Sequence, residues 1–127
     1  MSLSECRIAA VAAVSDLDRS RAFFEGTLGL SVVDSGAGGD EVVYSCGEGT
    51  GLMVYPSPEN AGKGTATLGC WAVDDLESEM KILKDRGIEF ERYEGFDQDE
   101  NGILDMGDGR VAWFTDPDGN IFAVAEG

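Results

Sequence analysis

The sequence of 127 residues contains no histidine. This absence excludes imidazole general bases, Cys–His and Ser–His catalytic pairs, and the side chain that most often binds metal ions. Cysteine is scarce: Cys6, Cys46 and Cys70 are far apart and form no Cys-x-x-Cys motif. This spacing is typical of free thiols in a reducing cytoplasm. We therefore expect a cytoplasmic protein in which Cys46 and Cys70 are small buried hydrophobes.

Basic residues are also scarce, with 9 Lys and Arg against 25 Asp and Glu, and the formal net charge is -16. This charge repels phosphate backbones and anionic membranes, so we expect no nucleic-acid partner and no membrane partner. The longest apolar run, Ile8–Val14, is too short to cross a bilayer, and no signal-peptide pattern precedes it. The charge attracts cationic ligands, and it also favours solubility without any ligand.

The length predicts one domain, which we place at residues 4–125. Residues 1–3 and 126–127 resemble expression scars and receive no functional interpretation. Within the domain, one pattern occurs twice: residues 14–18 read Val-Ser-Asp-Leu-Asp, and residues 73–77 read Val-Asp-Asp-Leu-Glu. Each segment ends a strand-like run and begins a helix.

Helix boundaries can be read from both copies. Two pairs, Ser15 with Asp18 and Asp74 with Glu77, have the spacing of a capping box. Leucine, phenylalanine and methionine then recur on one helical face. Both helices are predicted to end near a glycine that tolerates left-handed geometry, Gly29 in the first copy and Gly87 in the second.

Four strands accompany each helix. They are predicted at Ile8–Val14, Leu30–Asp34, Glu41–Cys46 and Leu52–Tyr55, and again at Thr67–Val73, Ile88–Tyr93, Arg110–Thr115 and Asn120–Ala125. The glycines of Gly36–Gly39 and Gly47–Gly51 do not lie between a strand and a helix, so they predict hairpin turns rather than a phosphate-binding loop. The chain is thus an α+β protein of two tandem β-α-β-β-β modules. Module 1 covers about 5–56, a linker covers 57–64, and module 2 covers about 65–125.

This order of elements comes with two motifs: VSDLDRSRAFF at residues 14–24 and WFTDPDGN at residues 113–120. Together they resemble the vicinal-oxygen-chelate superfamily, which includes glyoxalase I, the extradiol dioxygenases and the bleomycin-resistance proteins. The resemblance covers about Cys6 to Ala125. It implies that the strands form a U-shaped mixed sheet, with helices on the convex side and a ligand cleft on the concave side. It also implies a homodimer.

The resemblance further implies where a divalent metal would be held, commonly by two His and two Glu. Counting from the helix-entry aspartates and the turn glycine gives Ala9, Leu68 and Ala123, and the fourth position falls at Val54 or Tyr55. Alanine and leucine have no lone pair, and tyrosine binds metal only as a phenolate. We expect these to be lost metal positions, with neither a metal nor another cofactor there.

Strand parity predicts which residues face the cleft. If the lost metal positions face it, Trp71, Phe122 and Val124 pack under the helices. The predicted lining is apolar with a few polar groups, as is common in small-molecule sites. It consists of Arg7, Ala9, Val11, Tyr44, Met53, Tyr55, Leu68, Cys70, Phe96, Trp113 and Ala123. The register of four of these leaves either face open: Tyr44, Met53, Tyr55 and Trp113. Three cations near strand ends, Arg7, Arg92 and Arg110, are candidates to clamp a carboxylate, although ion pairs within the chain are the commoner outcome.

Two acidic segments have alternative interpretations. Residues 116–119, Asp-Pro-Asp-Gly, predict a tight turn with solvated acids. Residues 97–108 match part of an EF-hand loop, with Asp97, Asp99, Asn101, Ile103 and Asp108 as candidate calcium ligands. The flanks of this loop read as strands rather than helices, which favours a lid over the cleft that carries Phe96.

Three functions stay open. The favoured one is binding and sequestration of a drug or metabolite, a small organic molecule for which a cationic or aromatic structure fits best. The second is a metal-independent isomerase or lyase of the superfamily. The third is a glyoxalase-type lyase in which displaced acids hold the metal.

Overall fold

A computed structural model of the chain describes residues 2–34 and 40–127. The chain divides between Lys63 and Gly64 into two compact units, a boundary inside the predicted linker 57–64. Met1 and the predicted turn at Gly36–Gly39 lie outside the described residues.

The first unit has the predicted order of elements. Its strands are β1 (Ala9–Val14), β2 (Ser31–Asp34), β3 (Val42–Ser45) and β4 (Gly51–Pro56), and helix α1 (Leu17–Arg21) continues into a π-helical segment, Ala22–Thr27. Short 3₁₀ turns span Leu3–Glu5 and Gly47–Gly49. The sheet order is β1-β4-β3-β2, with β1 and β4 parallel and the other pairs antiparallel.

The second unit repeats this topology. It contains β5 (Thr67–Ala72), α2 (Leu76–Asp85), β6 (Leu104–Asp105), β7 (Arg110–Thr115) and β8 (Ile121–Glu126). The order is β5-β8-β7-β6, and only β5 and β8 pair in parallel. The predicted α+β class and its tandem modules are therefore confirmed, as two mixed four-stranded sheets that are each open. None of the described helices has the length and apolar character needed to cross a membrane.

Both helices begin one residue later than the capping-box spacing predicts. The N-caps are Asp16 and Asp75, whose side chains accept the N–H of Arg19 and of Ser78, each at 3.1 Å. The predicted N-caps, Ser15 and Asp74, are wrong because the helices begin at Leu17 and Leu76. The capping side chain is that of the residue directly before each leucine. The predicted helix ends are confirmed: Gly29 and Gly87 have φ values of 74° and 97°.

The strand register of the first unit assigns its residues to two faces. Val54 pairs with Ala12 and Val42, and all three are at most 2% exposed. This face is covered by α1 and the π-helical segment. The opposite face carries Val11, Met53 and Val43 in one row. We call the face of each sheet that lies opposite its helix the open face.

The second unit has the same division. Phe122 and Phe114 are paired, at most 1% exposed, and packed against Trp71 with ring centroids 5.6 and 6.1 Å away. Lys84 of α2 lies over Phe90, which contacts Phe114, so α2 covers this face. The open face carries Cys70, Ala123 and Trp113 in one row.

The predicted strand Ile88–Tyr93 is wrong, because these residues form no strand and the sheet edge is the short β6 instead. Only one backbone bond joins the segment to β7, from Glu91 N–H to the carbonyl of Trp113 at 2.8 Å. The other side of the segment is satisfied by the Gln98 side chain, which accepts Tyr93 N–H at 2.7 Å and donates to the Glu91 and Gly102 carbonyls at 2.9 and 2.8 Å. A carboxamide therefore replaces a neighbouring strand.

Candidate functional site

The open face of the first unit contains most of the predicted lining residues of module 1. Ala9 pairs with Gly51, Val11 with Met53, and Ala13 with Tyr55, so these side chains share one face. Because Val54 is buried on the other face, Tyr55 is the residue that shares a face with Ala9. Of the two predicted positions, Val54 and Tyr55, only Tyr55 therefore lies on the same face as Ala9.

The structure decides the face of Tyr44, which the sequence left open. Its side chain is fully buried under the helix, 5.8 Å from the Phe24 ring between centroids, and its hydroxyl donates to Glu25 at 3.0 Å. Burial and then the Glu25 carboxylate raise the pKa of Tyr44. Glu25 is also paired with Arg21 at 2.7 Å, which lowers the pKa of that carboxyl. Parity alone could not assign Tyr44, because its strand follows a turn of uncertain length.

A cavity of about 340 Å³ lies at one end of this open face. Its floor is a row of small residues, Ala9, Gly51 and Ser45, which pair across three strands. Arg7 stands at its rim and donates from Nη1 to the Gly49 carbonyl at 3.2 Å. We call this feature the Arg7 hollow. The sequence predicts Arg7 and Ala9 as lining residues, but it does not predict Gly51 and Ser45. Both are small residues that strand alternation places on the same face as Ala9, and this combination was the available signal.

The open face of the second unit carries an aromatic cluster of Tyr93, Phe96 and Trp113. Their ring centroids are 5.4 to 5.9 Å apart. Phe96 is 49% exposed, whereas Ala123, the cross-strand partner of Trp113, is only 2% exposed. The aromatic cluster therefore covers the position where a metal ligand is expected and still presents an apolar surface to solvent. Tyr93 was not predicted as a site residue.

The Tyr93 hydroxyl is buried and has no hydrogen-bond partner among residues 2–34 and 40–127. Burial, followed by the nearby Glu91 carboxylate, raises the pKa of Tyr93, so the phenol is neutral at physiological pH. The remaining predicted lining residue, Leu68, is 38% exposed at an irregularity between β5 and β8.

The cysteines differ from the prediction of buried hydrophobes. Cys6 and Cys70 are exposed and Cys46 is half-buried, and all three are free thiols. Cys70 lies on the open face beside Ala123, and partial desolvation raises its pKa. A raised pKa disfavours the thiolate, so Cys70 is not activated as a nucleophile.

All three candidate arginines have internal partners, and that of Arg7 is the Gly49 carbonyl. Arg92 donates to the Asp99 and Gln98 carbonyls at 2.6 and 3.2 Å. Arg110 pairs with Glu77 and with Glu126, and these carboxylates raise its pKa. Neither Arg7 nor Arg92 has a carboxylate partner among the residues that the structure describes.

Within the described part of the chain, one group of acids is close enough to suggest a metal site: Asp75, Glu77 and Glu126. Arg110 already lies among them and pairs with two of the three. Asp75 caps α2, and Glu126 accepts the Leu76 N–H at 2.6 Å. Backbone donors and a guanidinium therefore satisfy this cluster without a metal ion.

The EF-hand-like loop is organised by its own backbone. Asp99 Oδ1 accepts the N–H groups of Asn101 and Ile103 at 2.8 and 2.9 Å, and the Ile103 carbonyl accepts Asp99 N–H at 2.8 Å. Two of the five candidate calcium ligands thus have internal partners. The calcium site stays a prediction.

The predicted turn at residues 116–119 is confirmed, but one of its acids is not solvated. Asp116 is 4% exposed, and its carboxylate accepts the N–H groups of Asp118 and Asn120 at 3.0 and 2.8 Å and the Asn120 side chain at 2.8 Å. Burial raises the pKa of Asp116 despite these bonds. The turn orients β8 and has a structural role.

The positions implied for a metal do not fit one. They are Ala9 and Tyr55 in the first unit and Leu68 and Ala123 in the second, and the only side-chain oxygen among these four residues is the Tyr55 phenol. The nearest soft donor is the single thiol of Cys70, beside Ala123. A divalent ion needs three or four donors, and the chain has no histidine to supply them.

Comparison with known proteins identifies the family of this chain. The sequence profile of the Glyoxalase/Bleomycin resistance protein/Dioxygenase superfamily matches residues 7–124. The chain belongs to this superfamily. No curated protein sequence matches it at a significant level.

Solved structures of similar fold cover almost the whole chain. A glyoxalase/bleomycin resistance protein from Catenulispora acidiphila DSM 44928 is 24% identical, with a TM-score of 0.67 over 95% of this chain and 97% of that one. The integron cassette protein VCH_CASS1 from the mobile metagenome of V. cholerae is 25% identical, with a TM-score of 0.66 over 99% and 97%. TnmS3, an antibiotic binding protein from Streptomyces sp. CB03234, is 20% identical, with a TM-score of 0.66 over 96% and 97%.

Proposed function

We propose that this protein binds a small organic molecule, a drug or a metabolite, and sequesters it without the divalent metal of the superfamily's enzymes. The observation that carries this proposal is the composition of the open faces. Where a metal enzyme needs nitrogen and oxygen donors, they present Ala9, Leu68 and Ala123. Metal-assisted chemistry there would lack ligands.

The aromatic cluster supports an aromatic ligand. Phe96 is half-exposed beside Trp113, and flat rings stack favourably on such surfaces. The net charge of -16 would draw a cationic aromatic molecule toward the protein by long-range attraction. The similarly folded TnmS3 is an antibiotic binding protein, which is consistent with binding of a small molecule.

The two tryptophans allow a direct test with proflavine, a planar aromatic cation. Trp113 belongs to the aromatic cluster, whereas Trp71 packs under the helix. We expect proflavine to raise the Tm, to quench fluorescence in the wild type and in Trp71→Phe, and to quench far less in Trp113→Phe. Equal quenching in both variants would contradict binding at the aromatic cluster.

Two further measurements test whether the ligand is converted and whether the protein holds a transition metal. Chromatography of the released ligand should return it unchanged, whereas conversion would indicate an enzyme. Elemental analysis of protein purified without chelators should give no stoichiometric transition metal. A full equivalent of nickel, zinc, iron or manganese would overturn the proposal.

We also propose a cellular compartment and an oligomeric state. The three free thiols suit a reducing cytoplasm, and the superfamily resemblance favours a homodimer. Light scattering at micromolar concentration should give twice the chain mass, whereas a monomer would exclude the dimer.

A further inference from the structure

The Arg7 hollow combines features that no structural role explains. Arg7 is exposed, and its only described hydrogen bond goes to a neutral acceptor, the Gly49 carbonyl. Three other cations in the described residues form ion pairs: Arg21 with Glu25, Lys81 with Asp85, and Arg110 with two acids. Arg92 also donates only to backbone carbonyls, but it does so twice, whereas Arg7 makes one such bond and lines a cavity.

The backbone around Arg7 holds its guanidinium at the edge of the cavity. The Gly47–Gly49 turn contains a non-glycine residue with positive φ, Glu48 at 56°, and Gly49 follows at 79°. A Cβ at Gly49 would lie in ordinary contact, 3.4 Å from Nη1 of Arg7, so the positive φ rather than a lack of space favours glycine there. This turn accepts one N–H of the guanidinium, and the other N–H donors have no partner among the described residues.

The hollow itself is shaped by the absence of side-chain volume. Ala9, Gly51 and Ser45 form its floor, and the apolar side chains of Val33 and Val43 also line it. The hydroxyl of Ser45 and the cation of Arg7 provide polar contacts at an otherwise apolar surface. A planar group with two acceptor oxygens matches the fork of an arginine, and an apolar body matches the valines.

The geometry points to the Arg7 hollow as the subsite for the carboxylate of a small organic anion, with Arg7 as the residue that pairs with it. This inference rests on the proposed function, small-molecule binding, and adds the chemical class of a group that the first unit recognises. The net negative charge of the protein slows the approach of any anion. Selectivity for a carboxylate must therefore come from its contact with the Arg7 guanidinium rather than from the field of the whole protein.

A matched series of probes tests the sign of the charge: 2-naphthoate, 2-naphthamide and 2-naphthylmethylammonium share one ring and differ in charge. Calorimetry at pH 7 and fixed ionic strength should show 2-naphthoate binding about tenfold more tightly than 2-naphthamide. Arg7→Gln should remove that preference, whereas Arg7→Lys should keep part of it because lysine retains the charge but not the fork. Arg86→Gln, which changes the net charge equally, should preserve it.

A second variant closes the hollow without changing any charge. Ala9 is exposed on the strand, so Ala9→Val should fold normally and weaken 2-naphthoate at least tenfold. Equal affinity for the three probes, or a preference that survives Arg7→Gln, would overturn the carboxylate subsite and leave the proposed function standing. If none of the probes bound at millimolar concentration and proflavine also failed, both would be overturned.

Discussion

Arg110 on β7 donates from Nη2 to Glu126 Oε2 on β8 at 2.8 Å, and Oε1 of the same glutamate accepts the N–H of Leu76, the first residue of α2, at 2.6 Å. Glu126 thus joins the last strand to the start of a helix. The sequence alone suggested that residues 126–127 are an expression scar. The structure gives Glu126 a structural role in the second unit.

Glu126 should make stability depend on pH in the acid range. The Leu76 N–H first, and Arg110 second, lower the pKa of Glu126 below its usual 4.5. A lowered pKa means that its contribution is present above about pH 4.5 and is lost as the pH falls through the folded value. Glu126→Gln should therefore lower the Tm by a few degrees at pH 7 and by much less at pH 3. Glu89→Gln, on the surface, is the control. A Tm difference between the wild type and Glu126→Gln that stays constant from pH 7 to pH 3 would contradict the lowered pKa of Glu126.

Two buried phenols provide a matched pair for stability. The Tyr44 hydroxyl donates to Glu25, whereas the Tyr93 hydroxyl has no partner among the described residues. Tyr44→Phe should cost about 1 kcal/mol in the free energy of unfolding, while Tyr93→Phe should be neutral or stabilising by up to about 1 kcal/mol. Urea denaturation measures both. Destabilisation by Tyr93→Phe would show that its hydroxyl has a partner, such as ordered water.

Asp116 should be the most sensitive residue of the β7–β8 turn. Asp116→Ala leaves the N–H groups of Asp118 and Asn120 without their acceptor and should cost about 1–3 kcal/mol. Pro117→Ala, an exposed change in the same turn, should cost less than about 1 kcal/mol.

The same carboxyl has a pH signature opposite to that of Glu126. Because burial raises the pKa of Asp116 above its usual 3.8, its contribution is greatest below pH 3.8 and declines as the pH rises through the folded value. The stability deficit of Asp116→Ala should therefore be larger at pH 3 than at pH 7. A deficit that grows with pH would contradict the raised pKa.

Gln98 should control the aromatic cluster without belonging to it. Gln98→Ala removes three hydrogen bonds to the backbone of residues 91, 93 and 102, which should lower stability by about 1–3 kcal/mol. Tyr93 and Phe96 lie in or beside this segment, so proflavine affinity should fall as well. Amide hydrogen exchange should accelerate at Tyr93. The neighbouring variant Asn101→Ala should leave the stability, the proflavine affinity and the exchange rate at Tyr93 nearly unchanged.

The sequence predicted most of this fold because its signals are local and periodic. Seven of the eight predicted strands appear near their expected positions, as do both helices and their terminal glycines. The failed strand, Ile88–Tyr93, has suitable β-forming residues. Its backbone is bonded by a distant side chain, Gln98, and a strand pattern cannot reveal a partner of that kind.

By itself, the sequence determined the element order, the superfamily motifs and the absence of metal-binding side chains at the expected positions. These depend on residue identity and on spacing along the chain. Only the tertiary structure decided that Tyr44 packs under the helix, that Asp116 is buried, and that Arg7 stands beside a hollow floored by Ala9, Gly51 and Ser45. Pairing register and burial depend on contacts between residues far apart in the chain, and no local pattern records them.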